Sequence, residues 1–455
     1  MRYDIDGLIE LGQRVVDAAL KQGATVAEAV VGEGQHLSAK VRLGEPELVE
    51  EAGSKSLGLR VMRDQQVAVT HTSDLTPSGL QRVVEDALEL ARLSQADPFA
   101  GPPDRSQLSK VSEHIDLDLF DEQVDAIDAA AALDMAKRAE RAALSSDARL
   151  KNSEGATVAR QSGASALVTS GGFRAGTRGT YVSLVVSPVA EDEGGKRRTG
   201  YHWSARRHFA ELDKPESVGE EAARRTLAKL GSRKIETQEL PVVFDPDTAR
   251  SIVGMLGGCV SGGSVWRRSS YLAERENTRV ASDLVTIIDD PLMPRAPGSR
   301  AFDGEGLLSR RNVLVEQGIL KQLLLDTYSA RKLKRESTAS ASRGGSGGVG
   351  AGSSNLYLVP GTMTDAQLLA STERALYVTD MMGYGFNPVT GDFSRGASGF
   401  LIEKGQRMFP VSEVTVSLNL DELLQRIDAV SSELEMRTST AAPMFRVSAM
   451  MVAGS

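Results

Sequence analysis

Apolar positions along the first hundred residues change their period twice. Leu8, Leu11, Val15, Ala18 and Ala19 recur at spacings of three and four, which lays them on one stripe of a helix. Gly12 interrupts that run, and Gly23 stands where a C-terminal cap belongs. From Thr25 to His71 the spacing falls toward two. Segments 37–42, 58–62 and 67–71 read as strands, separated by Gly44-Glu45-Pro46 and Arg63-Asp64, as in a meander of hairpins. Thr76 then caps a predicted helix over 77–93 that turns Val83, Val84, Leu88, Leu90 and Ala91 inward.

The same order follows a Pro-bearing connector at 99–114. An Ala-rich helical run over 124–144 precedes strand-like segments at 156–161, 164–170, 180–188 and 201–204, and a helix over 217–230 ends at Gly231. Two successive helix–meander–helix units, residues 1–98 and 115–233, therefore predict a duplicated N-terminal region. Each alone would leave a sheet face or helix stripe uncovered, so the two are expected to pack together. A β-rich C-terminal domain is expected over 235–455. It opens with a strand at 240–244 and a helix capped by Asp245, started by Pro246, and ended near Gly257-Gly258. Hairpins are expected around Gly318 and around Lys404-Gly405, with long loops at 343–352 and 382–396. The fold class is α+β.

Composition narrows the chemistry. A chain of 455 residues suggests about three units. Its 53 basic and 61 acidic residues give a net charge of -8, which argues against a strongly basic polyanion binder and makes nucleic acid an unexpected partner. The single cysteine, Cys259, rules out an intramolecular disulfide and fits a reducing, cytoplasmic setting. The opening residues lack the basic-then-apolar pattern of a secretory signal, and no stretch reaches the roughly 18 apolar residues of a membrane helix. Histidine is scarce: His36, His71, His114, His202 and His208 are the whole complement, so the last 247 residues contain none.

That scarcity weighs on every motif present. Residues 345–350 match G-x-G-x-x-G, but the flanks are polar before and strand-like after, where a dinucleotide site needs a strand and then a helix. Residues 344–348 match G-x-S-x-G around Ser346, yet no histidine follows to act as base. No His-Glu pair exists for a zincin helix, and Arg206-Arg207 between His202 and His208 disfavours a cation there. Cys259 lacks a neighbouring base in the sequence and reads as a small core residue. Asp303-Gly304-Glu305-Gly306 reads as a turn, with a catalytic carboxylate pair as the alternative.

Residues 391–405, Gly-Asp-Phe-Ser-Arg-Gly-Ala-Ser-Gly-Phe-Leu-Ile-Glu-Lys-Gly, closely resemble the TldD/PmbA family on its PmbA (TldE) side. Segments 353–358, 261–270, 41–45 and 72–74 and the pair Pro410-Val411 extend the resemblance over almost the whole chain. It implies a cytoplasmic two-subunit zinc metallopeptidase acting on unfolded or extended peptides and in peptide maturation. The TldD-like subunit would carry the zinc ligands, H-E-x-x-x-H and a later cysteine, and the TldE-like subunit would complete the chamber. Aligned on Arg267, Gly254 and Met255 stand where His-Glu would be and Cys259 at the second histidine, and no cysteine follows in 437–455. The resemblance thus implies a non-catalytic subunit with no metal or cofactor of its own and zinc in a TldD-type partner. A homodimer without that partner stays open. Gly345, Ser346 and Gly347, and Ser394, Arg395 and Gly396, are the candidate peptide-groove segments. Their small side chains would let an extended peptide bond to backbone. Two alternatives remain: a regulatory module acting on a protein such as DNA gyrase, and an autonomous non-metal hydrolase using Ser346 or Cys259.

Overall fold

The computed structural model describes residues 3–454. The first unit comprises α1 (Ile5–Lys21), β1 (Val26–Arg42), β2 (Glu45–Arg63), β3 (Gln66–Thr72) and α2 (Pro77–Leu93). The second begins with the single turn α3 (Glu122–Asp125) and α4 (Ala129–Ser145). It continues with β4 (Leu150–Thr169), β5 (Arg174–Glu191), β6 (Arg197–Thr199), β7 (His202–Arg206) and α5 (Pro215–Leu227). The expected run over 124–144 is broken because Asp128 starts a new helix, its carboxylate accepting from the Ala131 amide at 2.8 Å. Gly23, at φ +102°, ends α1 as expected, and Thr76 caps α2.

The two units share one seven-stranded sheet. β1 and β4 pair antiparallel from Glu28↔Thr169 to Val41↔Ala156, which joins β3-β2-β1 to β4-β5-β6, with β7 alongside β5. Helices α1 and α2 cover one half of this sheet around Val16, Val31, Leu59 and Val168. Helices α4 and α5 cover the other around Ala39, Ala136, Leu184 and Ala222. Gly12, which interrupts the helical pattern, is buried against Val168 and lets α1 lie close on β4.

The C-terminal region is built on β8 (Gln238–Phe244), which leads into α6 (Pro246–Cys259) and the short α7 (Gly262–Trp266). A five-stranded sheet follows, ordered β11-β10-β9-β14-β19. Its strands are β9 (Ile287–Asp289), β10 (Asn312–Glu316), β11 (Ile319–Leu320), β14 (Leu356–Leu358) and β19 (Thr440–Ala441). Helix α8 (Thr327–Leu333) and the hairpin of β12 (Ala341–Arg343) and β13 (Val349–Ala351) lie between β11 and β14. The last sheet adds β15 (Arg374–Met382), β16 (Asp392–Glu403), β17 (Gln406–Asn419), β18 (Ile427–Val430) and β20 (Phe445–Ala453) to β8. Its order is β17-β16-β15-β8-β20-β18, and β17 also pairs with β20, so five of these strands close on themselves. The chain is α+β, with a β-rich C-terminal part. Helix α6 runs through the expected Gly257-Gly258 stop to Cys259. A Cβ at Gly257 would collide with Leu356, so tight packing against β14 outweighs the low helix propensity of glycine here.

Candidate functional site

Helix α6 follows β8, the first strand of the C-terminal region, and its first turn is fixed by its own sequence. Asp245 caps it, accepting from the Thr248 amide at 2.8 Å and the Thr248 hydroxyl at 2.9 Å. Burial, reinforced by the nearby Asp247 charge, pushes the Asp245 carboxyl up to about 7. The inner face, Ile252, Val253 and Leu256, enters the core. The outer face carries Asp247, Arg250, Ser251, Gly254 and Gly258, which are partly or fully exposed.

A cleft of about 620 Å³ opens beside this outer face. Its walls are Arg197 and Arg198 of β6, Lys229 after α5, Arg250 of α6, Asp380 of β15 and Arg395 of β16. Lys229 reaches Asp380 at 3.1 Å, tying the second unit to the C-terminal region. Arg250 pairs with Asp247 at 3.3 Å, and Arg225 approaches the same carboxylate at 3.9 Å. On the other side of Arg250 a second cleft of about 590 Å³ holds Trp203, whose ring lies 5.7 Å from the Arg250 guanidinium and 5.6 Å from that of Arg437. Sequence reading did not find this set. Only Arg395 among them was singled out, because the rest come from distant segments: Lys229 and Asp380 lie 151 residues apart.

The positions expected to be degenerate for zinc lie together on α6. A Cβ at Gly254 would have only Thr440 nearby, at 3.9 Å, and one at Gly258 would meet nothing. Cys259 instead points into the core, fully buried, and burial pushes its thiol up to about 11 against a weaker opposing bond to Ser270. Two glycines, a thioether and a protonated buried thiol are not a zinc donor set. Among the described residues, no three His, Cys, Asp or Glu converge at metal-binding distance. His202 is buried, and desolvation holds it down to about 4. His114 stacks on Phe302 at 5.0 Å, and His208 bonds the Asp118 carbonyl at 2.9 Å.

The two candidate groove segments are not both loops, and they do not line one cleft. Gly345, Ser346 and Gly347 form the tip of the β12–β13 hairpin, and that tip rests on β2. A Cβ at Gly58 would collide with the backbone of Gly345 to Gly347, and Gly347 itself adopts φ +90°. No helix follows the hairpin, so the dinucleotide pattern lacks its helix N-terminus, and Ser346 is on no strand-to-helix elbow. Ser394, Arg395 and Gly396 belong to β16, paired with Ser417, Val416 and Thr415 of β17. Their backbone on that side is already used, which corrects the expectation of a loop free to bond a peptide. Arg395 still faces the 620 Å³ cleft. Asp303 accepts from the Glu305, Leu307 and Ala341 amides at 2.9, 3.0 and 3.1 Å, and Glu305 holds Thr327. That pair is a buried turn that anchors α8.

Two N-terminal units merged in one sheet and a β-rich C-terminal region bearing α6 make up the chain. Profiles of the PmbA/TldA metallopeptidase match over 27–91 (domain 1), 122–230 (central domain) and 237–454 (C-terminal domain). The metalloprotease PmbA of Escherichia coli O157:H7 is 35% identical over 94% of this chain and 92% of its own length. A PmbA homologue of Haemophilus influenzae is 34% identical over 98% and 96%. Among solved structures, a candidate modulator of DNA gyrase from Bacteroides thetaiotaomicron superposes with a TM-score of 0.91 at 27% identity, covering 98% of both chains. TldE from Thermococcus kodakarensis shares the fold, with a TM-score of 0.86 at 21% identity over 98% of this chain and 100% of its own. The chain belongs to the PmbA/TldD metallopeptidase family, on its PmbA/TldE side.

Proposed function

We propose that this chain is the metal-free TldE/PmbA-type subunit of a cytoplasmic two-subunit peptidase. It would pair with a TldD-type metallopeptidase and form one wall of a channel for unfolded or extended peptides. The observation that carries this reading is the outer face of α6. Gly254 and Met255 offer no imidazole or carboxylate, and Cys259 is buried as a thiol with no base beside it. The zinc, its bound water and the general base would belong to the partner, where the metal would lower the water's pKa. This chain's own share is binding: charged walls on both sides of Arg250, and an interior that orients the peptide. Among the described residues, no helix is long and apolar enough to cross a membrane.

Co-expression with a TldD-type subunit, then sizing and a peptidase assay with and without chelator, tests the proposal. A complex whose chelator-sensitive cleavage needs both chains is expected. Failure to co-purify, or cleavage unchanged when this chain is omitted, would sink it. The second reading, a regulatory module acting on a protein target, draws on the gyrase-modulator description of the Bacteroides relative. It predicts binding to that target without any peptidase dependence. An autonomous hydrolase has less support, since Ser346 sits at a hairpin tip and Cys259 is inaccessible.

A further inference from the structure

We propose that the cleft beside α6 binds a carboxylate of an extended peptide, with Arg395 as its anion-binding residue. This rests on the peptide-handling role above and adds a substrate feature to it. Three other cations of the cleft are engaged. Lys229 has Asp380 at 3.1 Å, Arg198 has Asp192 at 2.8 Å, and Arg250 has Asp247 at 3.3 Å. Arg395 has no such partner. Among the described residues no carboxylate lies within 4.0 Å of its guanidinium, and its Nε is buried without a hydrogen bond. Arg197, at the same cleft, is also unpaired among the described residues.

A guanidinium drawn partly out of water without a counter-charge is costly, and a bidentate anion offsets that cost. Burial holds Arg395 below the usual arginine range, with only Tyr384 opposing. The backbone nearby suits an extended ligand. β8 pairs with β15 only at Leu376, Tyr377 and Val378, so the outer edge of β15 from Asp380 to Met382 carries no strand among the described residues. That edge lines the cleft, and Gly396, next to Arg395, pairs with Met382 on its inner side. A peptide added along this edge would bring a terminal or side-chain carboxylate within reach of Arg395.

The test is fluorescence anisotropy with the full chain and a labelled, unstructured eight-residue peptide. Three forms are compared: free C-terminus, C-terminal amide, and the amide with one internal Gln replaced by Glu. A carboxylate form is expected to bind about tenfold tighter than the plain amide, and which form gains tells terminus from side chain. R395Q should bring the ratio to about one, and R395K should retain part of it. Equal binding of all three forms overturns the inference, as does an R395Q protein that keeps the ratio. Inorganic phosphate competing as well as the carboxylate peptide also overturns it, by making the site a general anion site. If R395Q does not fold, the wild-type ratio decides alone. Co-purification with a TldD-type subunit is scored on the same preparations. Association without carboxylate preference sinks this inference only, whereas preference without association sinks the pairing and leaves the site.

Discussion

Arg343→Ala removes half of a buried latch between the N-terminal sheet and the C-terminal region. Glu28 of β1 is 1% exposed and Arg343 3%. The Arg343 guanidinium meets the Glu28 carboxylate at 2.6 Å, and Arg60 of β2 meets the same oxygen at 2.9 Å. Arg343 also donates to the carbonyls of Gly304 at 2.6 Å and Gly347 at 3.1 Å, the latter within the glycine hairpin itself. Burial alone would raise the Glu28 carboxyl. The two guanidiniums, Arg343 foremost, override it and hold the group down from 4.5 to about 2. At about 1.4 kcal/mol per pKa unit, that depression corresponds to roughly 3 kcal/mol. Removing one partner of a buried pair costs about 3–5 kcal/mol, and the remaining Arg60 places R343A at the low end. Because the folded pKa lies below the unfolded one, this stabilisation is present above about pH 4.5 and lost as pH falls toward 2. Guanidinium chloride unfolding at pH 7 and pH 3 measures it. Hydrogen exchange localises it to the hairpin, since a chain of this size need not unfold in one step. The deficit of R343A should shrink at pH 3 and should be smaller in an E28Q background. A deficit below about 1 kcal/mol at pH 7, or one that is the same in E28Q, would refute the assignment.

Gly219→Ala drives a Cβ from α5 into the Ala139 carbonyl of α4. It should cost about 1–3 kcal/mol, read as a lowered thermal midpoint, and an unchanged midpoint would contradict the close helix contact. Asp245 has a raised folded pKa, so wild type loses stability as pH climbs from 3.8 through about 7. Asp245→Asn keeps an acceptor for the cap and should be about 1–3 kcal/mol more stable than wild type at pH 8, with the gain gone at pH 4. D245A should instead lose about 1 kcal/mol of capping, and thermal midpoints at both pH values separate the two. Cys259, buried with its thiol near 11, should resist a thiol reagent at pH 8 until denaturant is added. Rapid reaction in the native protein would show that the inner face of α6 opens.

Local signals in the sequence carried the N-terminal units well. Turns at Leu43-Gly44 and Asp64-Gln65 sit where Gly44-Glu45 and Arg63-Asp64 suggested, and Thr76, Asp245 and Gly23 cap as their chemistry requires. What was missed depends on contacts between distant segments. The strands expected at 156–161 and 164–170 are one continuous β4, because pairing with β1 holds Ser162 and Gly163 extended where the local sequence would permit a break. Arg395 was singled out, but as part of a loop. Its strand becomes apparent only when β17 is paired beside it. The cleft itself is assembled from α5, α6, β6, β15 and β16, and no stretch of sequence contains enough of it to be seen.

The seam between β1 and β4 has a consequence for synthesis. Fourteen residues of β1, Glu28 to Val41, pair with a strand that is not complete until Thr169. At the usual 5–20 residues per second, that leaves the inner edge of β1 unpaired for roughly 6–25 s as the chain is made. During that time the first unit is a half-sheet with an open side, the state most prone to pair with a neighbour. Truncation of the chain near residue 115 would make that state permanent, so the first unit is expected to be soluble only when the second is translated behind it.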